Sequence, residues 1–328
     1  MTALIISVIL ALVFTYTNGF HDAANAIAVS IATRALRPAP ALVIAAVGNL
    51  VGSFFGGKVA ATVGSGIIEL PQGSGVLLVV SAALLGAIGW NLITWRFGLP
   101  SSSSHALIGG MVGAALPAGV VVLWSGVVDK VLIPMVISPV IGFLLGYAAM
   151  LVILWACRRA DPAKVRHGFR FAQRFSSTAL AVGHGMQDGA KTMGVIVLAL
   201  DVAGKHSGQS IPLWVYLSCA TALSLGTASG GFRIMKTLGS KVTALDPVQG
   251  FAAEATGASV LYVAAIGFGA PVSTKHVISS AVMGVGASKR VSAVRWKVAV
   301  SMIQGWIYTF PGAGLLAAAA WGIGTLIT

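Results

Sequence analysis

The chain has 328 residues, 57% hydrophobic and 9% charged, with a mean hydropathy of +0.91 and a formal net charge of +13. Apolar runs near or above the ~18–20 residues that cross a bilayer recur along it, which defines a polytopic helical membrane protein and leaves no length for a separate soluble domain. A membrane β-barrel is excluded, because its strands alternate in polarity whereas GVLLVVSAALLGAIG (75–89) is apolar on every face.

The first run, MTALIISVIL, lacks the basic flank and cleavage site of a secretory leader and reads as a retained first span. It leads into TNGFHDAANA (17–26), which places His21, Asp22 and Asn25 at membrane depth. A charged residue there costs roughly 2.5–3.5 kcal/mol on insertion scales, so it pairs, faces a cavity or marks a solute path. The flanking glycine predicts a helix break here. A helix starting near Asn25 would offer unpaired N–H groups and a positive dipole end to an anion, while Asp22 and freed carbonyls suit a cation. Further along, GLPSSSSHALIGGMVGAAL (98–116) reads as a re-entrant hairpin, since proline and four serines interrupt the apolar run. Non-helical backbone survives at that depth only when buried in protein or facing water, so the hairpin tip is expected to line a cavity.

The segment RRADPAKVRHGFRFAQR (158–174) carries Arg158, Arg159, Lys164, Arg166, Arg170 and Arg174 against one acid, Asp161. It reads as a basic cytoplasmic loop attracted to anionic headgroups. Without aromatic interleaving or a recognition module it does not point to nucleic acid. The sequences on its two sides echo each other. GFHDAANAIAV (19–29) returns as GMQDGAKTMGV (185–195), aligning Asp22 with Asp188, and FGLPSSSSHALIGGMVG (97–113) returns as FGAPVSTKHVISSAVMG (268–284), aligning Pro100 with Pro271 and His105 with His276. The chain is therefore an internal duplication: a first transmembrane repeat (1–157), a basic linker (158–175) and a second repeat (176–328), forming one membrane domain. Duplicated hydrophobic halves suggest a secondary transporter whose repeats lie in inverted orientation around a midplane site.

Ser102, Ser103, Ser104, Ser273 and Thr274 supply neutral hydroxyl donors able to hold a tetrahedral oxyanion. Asp22 and Asp188 supply cation sites. Glu254, in the mostly apolar DPVQGFAAEATGASVLYVAAIGFG (246–269), is a further proton or cation site, or else pairs with a neighbouring helix. Arg233, Lys236, Lys241, Lys289, Arg290, Arg295 and Lys297 read as membrane-edge anchors. Cys157 and Cys219 have no second cysteine at metal-ligand spacing and read as packing residues. The chain's 41 glycines let helices approach closely. Adjacent Ser104 and His105 diverge, so with Asp22 they make no hydrolase triad and no enzyme is expected.

The pairs HDAANA with QDGAKT and LPSSSSH with APVSTKH resemble the inorganic phosphate transporter (PiT) family, in particular its bacterial low-affinity branch. The likeness covers nearly the whole chain apart from the central basic segment. It implies an all-α inverted-repeat fold with broken helices and two re-entrant hairpins in the cell inner membrane, inorganic phosphate as substrate, cation-coupled symport and a homodimer, without a cofactor. Carried over by position, it places Asn25, Ser102, Ser103, Ser104, Ser273 and Thr274 around phosphate and Asp22 and Asp188 at the coupling cation. Lys191 and Lys275 depart from the family signature, putting fixed cations where sodium-coupled relatives have neutral ligands; they join the expected phosphate site. An ammonium beside Asp188 repels sodium and takes over its electrostatic role. Coupling to protons, or carriage of phosphate as a divalent-metal complex, is then favoured over sodium. Sulfate is the competing substrate, and a passive anion channel the competing mechanism. Protonated phosphate can donate a hydrogen bond to Asp22 or Asp188, which sulfate cannot, so phosphate is preferred.

Overall fold

A computed structural model describes residues 1–69, 76–99, 101–206, 210–229 and 242–327. Pro100, Arg233, Lys236 and Lys241 lie outside the described residues. The elements run α1 (Thr2–Ala32), α2 (Pro38–Ser53), α3 (Gly57–Ser65), α4 (Leu77–Phe97), α5 (Ser103–Ala115), α6 (Trp124–Ala156), α7 (Pro162–Val202), α8 (Leu213–Ala228), α9 (Pro247–Phe268), α10 (Thr274–Lys289) and α11 (Trp296–Ile327). A two-residue pairing of β1 (Ile68–Glu69) with β2 (Val121–Val122) is antiparallel. α1, α4, α6, α9 and α11 are each long and apolar enough to cross a membrane. α2 and α3 together form a sixth apolar segment, bent by 68°.

The helix break expected at residues 17–26 is absent. α1 runs unbroken through Asp22, and α7 runs unbroken through Asp188. The glycines beside the acids serve close packing instead of unwinding. A Cβ on Gly19 would lie 2.9 Å from the Gly226 Cα of α8, and one on Gly185 would lie 2.7 Å from the Asn49 Cα of α2. With neighbouring helices this near, their side chains reach the buried carboxylates and the backbone need not open. The interruptions fall elsewhere: at residues 54–56, at Gly98 (φ +67°) before α5, and at Gly269 (φ +59°) before α10.

The basic segment is also not a loop. Asp161 caps α7 by accepting a hydrogen bond from Ala163 N at 2.8 Å, and Pro162 occupies the first turn, where its missing N–H is harmless. Most of the expected linker is therefore the exposed start of a 41-residue helix about 60 Å long. Beyond its basic turns α7 is buried, with α1, α2, α3 and α9 packed on it. Just past its far end, His206 donates to Asp201 Oδ1 (2.7 Å) and to the Ser210 carbonyl (2.9 Å). Two acceptors favour the imidazolium, so its pKa is raised above 6.5.

α5 and α10 are short, almost wholly buried helices. α5 packs between α4 and α11, and α10 against α6 and α9. Gly113 of α5 lies against the Gly314 backbone of α11, leaving no room for a side chain. Gly113→Leu is expected to lower stability by about 1–3 kcal/mol through overpacking. Gly168→Ala, at an exposed helical site with nothing within 4 Å, should instead gain up to about 1 kcal/mol from helix propensity. Melting temperatures of the two purified variants in detergent provide the check.

Candidate functional site

Each short helix begins with the same device. Ser102 caps α5 by accepting from His105 N at 3.3 Å, and Ser273 caps α10 by accepting from His276 N at 3.5 Å. The first N–H groups of a helix have no partner within it, and the positive end of the helix dipole lies there. The two first turns meet: the His105 and His276 rings lie 4.9 Å apart between centroids. Two helix N-termini thus converge beside Ser102, Ser103, Ser104, Ser273 and Thr274, all of them buried.

The aspartates of the unbroken helices join this cluster. Ser103 Oγ donates to Asp22 Oδ2 at 2.9 Å, and Thr274 Oγ1 donates to Asp188 Oδ2 at 3.3 Å, so each acid is held by one of the short helices. Asn25 Nδ2 crosses between halves, donating to Thr274 Oγ1 at 3.2 Å. Its Oδ1 is buried with no hydrogen-bond partner.

Lys191 and Lys275 both point inward, 2% and 1% exposed, so neither snorkels to a surface. The Lys191 ammonium donates to Asp188 Oδ1 (2.7 Å), the Val272 carbonyl (3.0 Å) and Ser104 Oγ. That of Lys275 lies 2.5 Å from Asp22 Oδ1, donates to the Ser101 carbonyl at 2.5 Å and meets His21 Nδ1. An ammonium has three N–H donors, and each lysine directs three at protein acceptors. For either to touch a bound anion, that anion must displace one of these acceptors. Two carboxylates against two ammonium groups leave the cluster formally neutral.

Histidines complete the shell. His21 lies 3.0 Å from Asp22 Oδ1 and 3.2 Å from Thr94 Oγ1. His184 lies 2.8 Å from Asp188 Oδ2 and 2.8 Å from Asn49 Oδ1. The side-chain ligand atoms of Asp22, His184 and Asp188 fall within 4.8 Å of one another, close enough for one metal ion, although both acids are already paired with lysine.

The structure brings together every expected site residue except Glu254. That carboxylate is fully buried against α7, where Ser176 and Ser177 donate to its Oε2 at 2.9 and 2.8 Å and the Gln173 side chain and Ser30 backbone also approach it. Ser177 precedes Asp188 by eleven residues on α7, about 16 Å along the axis. Glu254 therefore forms a separate polar niche. Sequence reasoning also missed Gln187, whose amide accepts from Val272 N (3.1 Å) and donates to the Ala270 carbonyl (3.2 Å), fixing the turn before α10. Its place beside Asp188 in the repeated motif was the available signal. Asn49 and Thr94 sit in helices without a motif and gave none.

Two helix N-termini, hydroxyl groups and lysine-compensated acids that converge inside a multi-pass membrane protein are the parts of an anion-transport site. The phosphate transporter family matches residues 18–317, and the chain belongs to that family. It is 46% identical over 312 residues to a probable low-affinity inorganic phosphate transporter of Rhizobium meliloti (strain 1021), covering 94% of this chain and 92% of the relative. It is 44% identical over 329 residues to a probable low-affinity inorganic phosphate transporter of Bacillus subtilis (strain 168), covering 98% and 97%. A solved structure of a sodium-dependent phosphate transporter superposes over the whole of both chains with a TM-score of 0.89 at 26% identity. The protein is a transporter of inorganic phosphate in the cell membrane and not an enzyme.

Proposed function

We propose that the chain imports phosphate by symport driven by protons, with or without a divalent metal accompanying the anion, and does not require sodium. The observation that carries this reading is the pairing of Lys191 with Asp188 and Lys275 with Asp22. The solved relative is named for sodium dependence. In this chain both acids already hold a tethered cation. A sodium ion entering beside them meets two ammonium groups and gains little.

Phosphate binds between the N-termini of α5 and α10, using the hydroxyls of Ser102, Ser103, Ser104, Ser273 and Thr274, with Lys191 and Lys275 released toward it in part. Asn25 Oδ1, lacking a partner, accepts from a P–OH group, which favours protonated phosphate over sulfate. A buried, formally neutral site disfavours a bare dianion, so phosphate enters as H2PO4⁻ or with a divalent cation. Asp22, Asp188 and the separate Glu254 carry the coupling charge. The two halves act as inverted repeats, and the protein assembles as a homodimer.

Labelled phosphate uptake into proteoliposomes, with pH, sodium, magnesium and competing sulfate varied, tests the reading. Accumulation should follow an inward proton gradient without sodium and resist sulfate. Strict sodium dependence defeats the coupling assignment, equal competition by sulfate defeats the specificity, and uptake that never exceeds equilibrium indicates a channel.

A further inference from the structure

α10 also borders a second cavity, on the side away from the phosphate site. About 460 Å³ in volume, it lies between α6 and α11 and is floored by His276, Ser280 and Met283, which share one face of α10. Its walls include Val140 and Ile303, which are 53% and 43% exposed on membrane-spanning helices, so the cleft opens sideways to lipid. Its inner end is different. His276 is fully buried, with its ring 3.9 Å from that of Trp306 between centroids. Trp306 Nε1 has no hydrogen-bond partner; the His276 ring lies against the Met135 carbonyl, which engages one of its nitrogens and leaves the other without a partner.

An unpartnered indole N–H and an unpartnered imidazole nitrogen at the closed end of an otherwise apolar cleft specify an occupant with two parts. A hydrocarbon chain fills the volume and leaves those atoms unpaired. A hydroxyl both donates and accepts, so it can serve the imidazole and the indole together.

We propose that the cleft binds a membrane-dissolved amphiphile with an uncharged hydroxyl head against His276 and Trp306 and a single apolar tail between α6 and α11. The head sits one residue from Lys275. Through the contact of His276 with His105 it also bears on the first turn of α5. Occupancy holds the two short helices in one arrangement and slows phosphate transport.

The test uses the full chain in proteoliposomes with a diazirine-bearing hexadecanol as probe. Photolabel should appear in peptides spanning 135–144, 276–283 and 296–307. Hexadecanol should compete about tenfold better than hexadecane, the difference made by one hydrogen-bonding head. Val140→Trp combined with Ile303→Trp fills the mouth with side chains that already face lipid. It should abolish both the label and the inhibition of uptake by hexadecanol, leaving basal uptake unchanged. Label spread evenly over other lipid-facing helices, or equal competition by hexadecane, overturns the proposal. So does inhibition that persists in the double variant. A cysteine at position 140 that crosslinks two copies would show the cleft covered by a second chain and would equally overturn it.

Discussion

Replacing Lys191 with Asn and Lys275 with Thr together is expected to make phosphate uptake sodium-dependent. Each ammonium lies within hydrogen-bond distance of a buried carboxylate, 2.7 Å for Lys191 with Asp188 and 2.5 Å for Lys275 with Asp22. Removing one partner of such a pair leaves an uncompensated buried charge, at a cost of about 3–5 kcal/mol. Without sodium the double variant should lose uptake by roughly a hundredfold or more, as a penalty of that size implies. Sodium then has two vacant anionic sites, each supplied with oxygen ligands. The Ser101 and Val272 carbonyls, now holding the ammonium groups, become free to coordinate it. Uptake measured over a sodium titration should rise from near background to saturation, whereas the parent stays flat. A double variant that works equally well in sodium-free buffer would show that the lysines do not stand in for a cation.

The second large effect concerns the acids. Asp22→Asn and Asp188→Asn each keep the shape of the side chain and the hydroxyl contact from Ser103 or Thr274. Each also strands a buried ammonium. Proton-driven uptake should fall by roughly a hundredfold on the same energetic grounds, while size-exclusion profiles show intact protein. Pairing Asp188→Asn with Lys191→Met removes both charges. The double variant should recover much of the stability lost in the single one without recovering transport, because burying neither ion is often as stable as burying both. Thermal melts and uptake on the same preparations separate the two roles. Normal coupled uptake in Asp188→Asn would remove that residue from the coupling machinery.

Much of this arrangement could be read from the sequence because the motifs occur twice. Ser102 and Ser273, each three residues before a histidine, announced two equivalent helix starts, and both caps are present. Asp22 and Asp188 were legible as a pair for the same reason. The sequence misleads about the helix breaks, because glycine beside a buried acid suggests unwinding. Gly19 and Gly185 instead allow α8 and α2 to come close, a tertiary fact with no local signature. The partner of Lys275 was equally hidden, since it crosses 253 residues to Asp22. Glu254 was recognised as buried, yet its distance from the aspartates follows only from the course of α7. The basic segment looked like a loop by charge, while the cap at Asp161 and Pro162 marked a helix start that charge counting overlooked.

One helix supplies the hydroxyls of Ser176 and Ser177 to Glu254, and further along its length carries His184, Asp188 and Lys191. The niche that holds Glu254 and the cluster around Asp188 are thus joined by one uninterrupted stretch of hydrogen-bonded backbone, with no loop between them.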